Sequence, residues 1–259
     1  MLRQDNKRVL ALMPHPDDVE ILCAGTLVRL KEIGYEIHVA VMTAGDKGSA
    51  VLSRQEISNI RREEGRLGAE ALGATSYRCL EFQDLEITFD VPTRYKIADV
   101  LRDVNPGLII TTPPNDYMFD HEITSMLVRD ACFNAAVRNY ETGGNTKPMD
   151  GVPYLYYSDA VEGHDIFGQE ARLSCIVDIS AQIDQKAAAL ACHDSQRSWL
   201  QKHHGMDNYI ESMKTWSAKR GQQIGTAYAE AFSQHLGHPH PQDDLLVSLL
   251  GAQPRQRNS

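Results

Sequence analysis

The chain lacks any cysteine pair at CxxC spacing. Its five cysteines (Cys23, Cys79, Cys132, Cys175 and Cys192) are odd in number and scattered. That argues against a disulfide framework or a cysteine-held zinc, and makes a reduced, cytoplasmic setting the expectation. No apolar run reaches the roughly 18 residues of a membrane-spanning helix. The opening MLRQDNKRVLALM is too short in its apolar part, and too soon acidic, to predict a secretory signal. Positive charge is in short supply as well. With 26 Lys and Arg against 35 Asp and Glu, the net charge of −9 has the wrong sign for a nucleic-acid-binding protein. The stretch AGDKGS (44–49) lacks the GxGxxG spacing, so it lends little to a dinucleotide reading.

What is present describes an ordinary globular chain. At 259 residues with 42% hydrophobic content, it can bury one large core. Apolar runs predict strands over 8–13, 36–43, 77–82 and 108–112. Helical spacing predicts helices over 19–33, 53–72, 93–104 and 121–137. Strands alternating with helices imply βαβ units, and hence an α/β fold with a parallel sheet covered by helices on both faces. After a polar Gly/Pro loop at 140–153 the pattern loosens, with late strands expected over 154–159 and 174–178 and a helix over 183–200. The expectation is a single domain over 1–259, its core spanning about 8–200, with a His- and aromatic-rich C-terminal extension over about 201–250.

In parallel α/β sheets, sites form beyond the carboxyl ends of the strands. Two polar clusters fall there: Pro14-His15-Pro16-Asp17-Asp18, with Glu20 close behind, and the segment PPNDYMFDH (113–121). An imidazole and a carboxylate suit a divalent metal, zinc above all, and a catalytic zinc takes three protein ligands. His15 and Asp18 supply two, and His121 is the natural third. Asp17 is then an adjacent carboxylate free to act as a general base toward a metal-activated water. Acids in a first helical turn also serve as caps and dipole partners, and Glu20 fits that role or a supporting one.

His15-Pro16-Asp17-Asp18-Val19-Glu20, followed by Gly25-Thr26-Leu27, resembles the signature of the PIG-L/LmbE-type zinc-dependent N-deacetylases. VMTAGDKGS (41–49), IRREEGRLGAEALG (60–73) and PPNDYMFDHEITSMLV (113–128) are similar to further segments of that family, so the resemblance covers about residues 8–140. It implies a Rossmann-like, mostly parallel α/β fold of the LmbE kind and a zinc held by His15, Asp18 and His121, with other divalent metals left open. It also implies hydrolysis of an acetamide on a sugar of the N-acetylglucosamine type. Arg61 is implied to lie near the substrate, with Asp46 and Tyr117 as further substrate-binding candidates. A homotrimer or hexamer is the implied assembly.

One departure stands out. Family members commonly read His-Pro-Asp-His in the last segment, whereas this chain reads Met118-Phe119-Asp120-His121. Methionine donates no hydrogen bond to an oxyanion, and losing one such donor costs about 10²–10³ in rate. Tail histidines are candidates to replace it: His193, His203, His204, His235, His238 and His240, with His204 and His238 preferred. Asp120 is expected to orient His121 or its neighbours. The leading expectation is a sugar N-deacetylase. The alternatives are a metal-dependent hydrolase of another amide or sugar derivative, and a metal- or sugar-binding protein with impaired catalysis.

Overall fold

The computed structural model describes residues 6–196 and 209–255. Strands β1 (Arg8–Met13), β2 (Glu36–Thr43), β3 (Ser76–Phe82), β4 (Leu108–Thr111) and β5 (Tyr154–Ser158) form where the short apolar runs predict them. Helices α1 (Asp18–Leu22), α2 (Ala24–Glu32), α3 (Arg54–Ala71), α4 (Val91–Val104) and α5 (Phe119–Asn134) alternate with them. The start of α3 is a capping box: Glu56 N–H donates to Ser53 Oγ at 3.3 Å, and Ser53 N–H donates to Glu56 Oε2 at 2.9 Å.

Two late strands, β6 (Cys175–Asp178) and β7 (Ala229–Gln234), and the short β8 (Gln253–Pro254) complete the sheet among the described residues. Its order is β3-β2-β1-β4-β5-β7-β6-β8. The first five strands pair in parallel, and β7 is antiparallel to both β5 and β6. One apolar cluster joins Val9, Ala11, Leu27 and Ile37 on one face of the sheet, and another joins Leu10, Leu12, Leu101 and Leu127 on the other. β1 lies between β2 and β4, so the winding reverses between β1 and β4 and opens a crevice at their carboxyl ends.

Three sequence expectations are revised. The helix expected over 19–33 breaks at Cys23, which has φ −148°. The cause is tertiary: Glu230 of β7 accepts the Gly25 and Thr26 N–H groups at 2.9 and 2.7 Å, capping a fresh helix. The helix expected over 183–200 is interrupted: α6 (Ile183–Leu190) ends early, residues 194–196 are helical again, and 197–200 lie outside the described residues. Finally, the C-terminal segment is no appended extension. It supplies β7 inside the sheet, along with α7 (Tyr209–Gln222) and α8 (Leu245–Leu250). No described helix is long and apolar enough to cross a membrane.

Candidate active site

β1 runs out at Met13, and the turn through Pro14–Asp17 leads straight into α1. β4 runs out at Thr111, and its loop enters α5 two residues before His121. Because β1 and β4 are neighbours, the two polar clusters meet. His15 Nδ1 lies 3.2 Å from Asp18 Oδ2, and His121 Nε2 lies 3.6 Å from Asp18 Oδ1. All three side chains are buried, and their donor atoms converge closely enough to share one metal ion.

Behind this cradle stands a row of acids. Asp116 Oδ2 is 3.1 Å from His121 Nδ1. Asp84 Oδ1 and Asp120 Oδ2 are 3.2 and 3.4 Å from His15 Nε2. Carboxylates placed this way fix the orientation and tautomer of ligating histidines. Asp120 is itself anchored by Leu85 N–H at 2.7 Å. It therefore faces His15, and Asp116 takes the role at His121 that was expected of Asp120.

A divalent metal fits these residues. His121 Nε2 is buried without a hydrogen-bond partner, and two imidazoles with one carboxylate form a zinc-type donor set. Electrostatics agree. Burial works to lower the pKa of His15, but hydrogen bonds to Asp120, Asp18 and Asp84 outweigh it and hold it well above the ordinary value. At His121 burial is likewise overcome, first by the Asp18 charge and then by Asp116. Burial would raise Asp18, yet the His121 charge and the His15 hydrogen bond bring it below the usual carboxylate range. The acids thus favour positive charge at this point, which is what a cation supplies.

Asp17 stands apart from the cradle. Arg61 Nη2 is 3.5 Å from its Oδ1, and the Tyr209 hydroxyl donates to its Oδ2. Arg61 is buried and also donates from Nη1 to the Gly45 carbonyl at 3.4 Å. Gly45 has φ +62°, and a Cβ there would collide with the guanidinium, which explains a glycine in the loop after β2. Glu20 points away toward His193, 3.4 Å from its Nε2, with both side chains buried. The third acid of the opening motif thus pairs with one of the tail histidines.

Other expected residues fall elsewhere. Tyr117 sits at the mouth, 70% exposed, its ring edge-on to His121 with centroids 5.3 Å apart. Asp46 is a correction: it accepts from Asp84 N–H at 2.8 Å and from Arg54 Nε at 2.7 Å. Those bonds staple the loops after β2 and β3 and occupy the carboxylate, so it is not an open substrate contact. His238 is a second correction. β7 runs antiparallel to β5, so the loop after it emerges at the amino ends of the parallel strands, where His240 Nδ1 meets the Pro153 carbonyl at 3.1 Å. His238 lines a cavity there with Phe89, Met126 and Phe133, away from the cradle. His204 lies outside the described residues. Met118 is the N-cap of α5 and makes no side-chain capping bond.

Sequence reasoning missed Asp84, Asp116 and Tyr209. The two acids follow strand ends, a signal that a closer reading of those loops would have caught. Tyr209 carries no local signal, because its partner is 192 residues away.

A sheet that gathers a His–Asp–His cradle and a separately held carboxylate at its carboxyl ends defines a class: a strand-end enzyme of the doubly wound α/β kind. Residues 10–132 match the family described as PIG-L, GlcNAc-PI de-N-acetylase. It is 28% identical over 198 residues to a 4-oxalmesaconate hydratase of Pseudomonas putida, covering 73% of this chain and 74% of the relative. It is also 28% identical over 204 residues to a diacetylchitobiose deacetylase of Thermococcus kodakarensis, covering 74% and 71%. Among solved structures, the N,N'-diacetylchitobiose deacetylase of Pyrococcus horikoshii superposes with a TM-score of 0.75 at 25% identity, covering 93% of this chain and 90% of that one.

Proposed function

We propose that the protein removes the acetyl group from an N-acetylated sugar or sugar conjugate of the N-acetylglucosamine type. The observation that carries this reading is Asp17, a buried carboxylate beside the cradle and gripped by Arg61 and Tyr209 rather than by the ligand set. His15, Asp18 and His121 would hold zinc or another divalent ion, which polarises an amide carbonyl and acidifies water. Asp17 takes the proton from the attacking water and returns it to the departing amine. Arg61 and Tyr209 keep its carboxylate in one orientation, and Asp84, Asp116 and Asp120 hold the two imidazoles in theirs. The homotrimer or hexamer implied by the family resemblance, and the cytoplasmic setting expected from the scattered cysteines, belong to this same reading.

Met118, in place of the family's usual histidine, favours a second reading. Without that donor the site is less suited to a tetrahedral oxyanion, and the similarity to a hydratase matches the similarity to a deacetylase in identity and extent. In that case Asp17 would move the proton in adding water to a carbon–carbon double bond. The discriminating experiment measures acetate release from N-acetylglucosamine derivatives and loss of 4-oxalmesaconate absorbance, using wild type and Asp17→Asn at equal metal content. Acetate release by wild type alone supports the deacetylase. Turnover of the unsaturated acid alone transfers the site to hydration, and an Asp17→Asn variant as active as wild type removes Asp17 from the base role.

A further inference from the structure

Helix α1 spans only Asp18–Leu22, and Asp17, its N-cap, makes no side-chain capping bond. A helix this short does not hold its own orientation, so contacts made by its side chains must set it. Asp17 and Glu20 are three residues apart and therefore lie on one face, while Asp18 turns into the cradle. Asp18 has its own anchor there: its Oδ2 accepts from His15 N–H at 2.8 Å. Glu20 reaches His193, whose Nε2 is 3.4 Å from its Oε2, with the histidine and glutamate side chains 0% and 2% exposed. Burial works to lower the pKa of His193, but the Glu20 charge overcomes it, so the contact is a buried ion pair.

The far side of this pair is a fixed wall. His193 follows α6, and two residues on, Ser195 donates to Glu64 of α3 from N–H at 2.8 Å and from Oγ at 2.6 Å. Arg61, which holds Asp17, stands one turn earlier on the same helix. One turn beyond Glu64, Gly68 makes room for the pair: a Cβ there would lie 2.5 Å from Glu20 Oε1 and 3.0 Å from His193 Nε2. Glycine is a poor helix former, and its place inside the long α3 is explained by this close approach. The face of α1 that carries Asp17 is thus held twice, at Asp17 by Arg61 and one turn further on by the grip of His193 on Glu20.

We propose that His193 is a positioning residue for the reaction: by gripping Glu20 it fixes the rotation of α1, and with it the carboxylate of Asp17, without touching the reacting atoms. The proposal rests on the reading of Asp17 as the base. Tyr209 and Arg61 grip the carboxylate itself, whereas His193 sets the backbone that presents it.

The test measures kcat, KM and bound metal for the metal-loaded full chain, on whichever substrate wild type turns over and below the melting transition of each variant. His193→Ala is expected to lower kcat by about 10–100-fold, with KM and bound metal close to wild type because Asp18 keeps its own anchor. His193→Gln, whose amide still donates to Glu20, should recover to within about threefold of wild type. Gly68→Ala reaches the same pair from α3, favouring the helix but crowding Glu20, and should lower kcat by about tenfold with metal retained. Unchanged kcat in both alanine variants, or a loss of metal in step with kcat, would overturn the proposal.

Melting temperatures supply a readout that needs no turnover. With Asp17 positioned by His193, the drop caused by Tyr209→Phe shrinks by about half or more in the His193→Ala or Gly68→Ala background, because the Tyr209 bond is already weakened there. Equal drops in all backgrounds would overturn the proposal even where kcat falls. An Asp17→Asn variant as active as wild type removes the base reading alone, and the same melting comparison then decides whether His193 positions Asp17.

Discussion

The Tyr209 hydroxyl donates to Asp17 Oδ2 while Arg61 holds Asp17 Oδ1 from the other side at 3.5 Å. One partner comes from α7, far beyond the family-matched residues 10–132, and the other from α3 within them. The carboxylate proposed as the base is therefore positioned jointly by the family-matched segment and by the chain's C-terminal third. Hydrogen bonds to charged groups contribute about 1.5–3 kcal/mol.

Tyr209→Phe keeps the ring and its packing but removes this bond. It is expected to lower kcat by roughly tenfold and to leave metal content and KM close to wild type. Steady-state kinetics with metal analysis on the same preparation reads both. A drop in bound metal or a large rise in KM would show that the tyrosine supports the fold rather than Asp17.

Asp116 is expected to act on metal affinity. Its Oδ2 faces His121 Nδ1 at 3.1 Å, and losing such a partner typically weakens metal binding by about 10–100-fold. Asp116→Ala titrated against a chromophoric chelator should show that loss. An unchanged affinity would mean His121 needs no orienting acid.

Lys186 and Glu230 form a buried ion pair at 2.6 Å, their side chains only 1% and 2% exposed. Glu230 also caps α2, which follows the turn carrying His15 and the helix α1 that begins at Asp18. Lys186→Met leaves that carboxylate without its cation, and breaking a buried pair in this way costs about 3–5 kcal/mol. The melting temperature should fall by roughly 10 °C. A shift of a degree or two would show that the two amide donors alone satisfy Glu230.

His240 gives stability a pH dependence of known sign. Burial, and then the neighbouring His235, push its pKa down to about 4. The unfolded value is about 6.5. Between those values the unfolded chain binds more protons than the folded one. The contribution of the neutral ring is thus complete above about pH 6.5, and it is lost as pH falls toward 4. Urea denaturation of wild type and His240→Gln from pH 7.5 to 4.5 should show a steeper loss in wild type. Parallel curves would remove His240 as the cause.

The five parallel strands and their helices were legible in the sequence, because buried strands and amphipathic helices each write a periodicity into the chain. The cradle was legible for a related reason. His15, Asp17 and Asp18 are consecutive or nearly so at a strand end, and His121 opens the helix after another strand, so local order already implied a shared crevice. The break at Cys23 was not legible, since the residue responsible is Glu230, more than 200 positions away.

Asp46 was misjudged because a polar residue in a strand-end loop looks the same whether it meets substrate or staples a neighbouring loop; only its bonds to Asp84 and Arg54 decide. The histidines after β7 were misjudged because strand direction is not written locally. Antiparallel insertion of β7 carries His238 and His240 to the opposite end of the sheet. By itself, then, the sequence determined the α/β fold, the metal-ligand candidates and the neighbouring carboxylate proposed as the base. Only the tertiary structure decided which carboxylates back the imidazoles and which hydroxyl grips Asp17, because those contacts join segments whose proximity depends on strand order and direction.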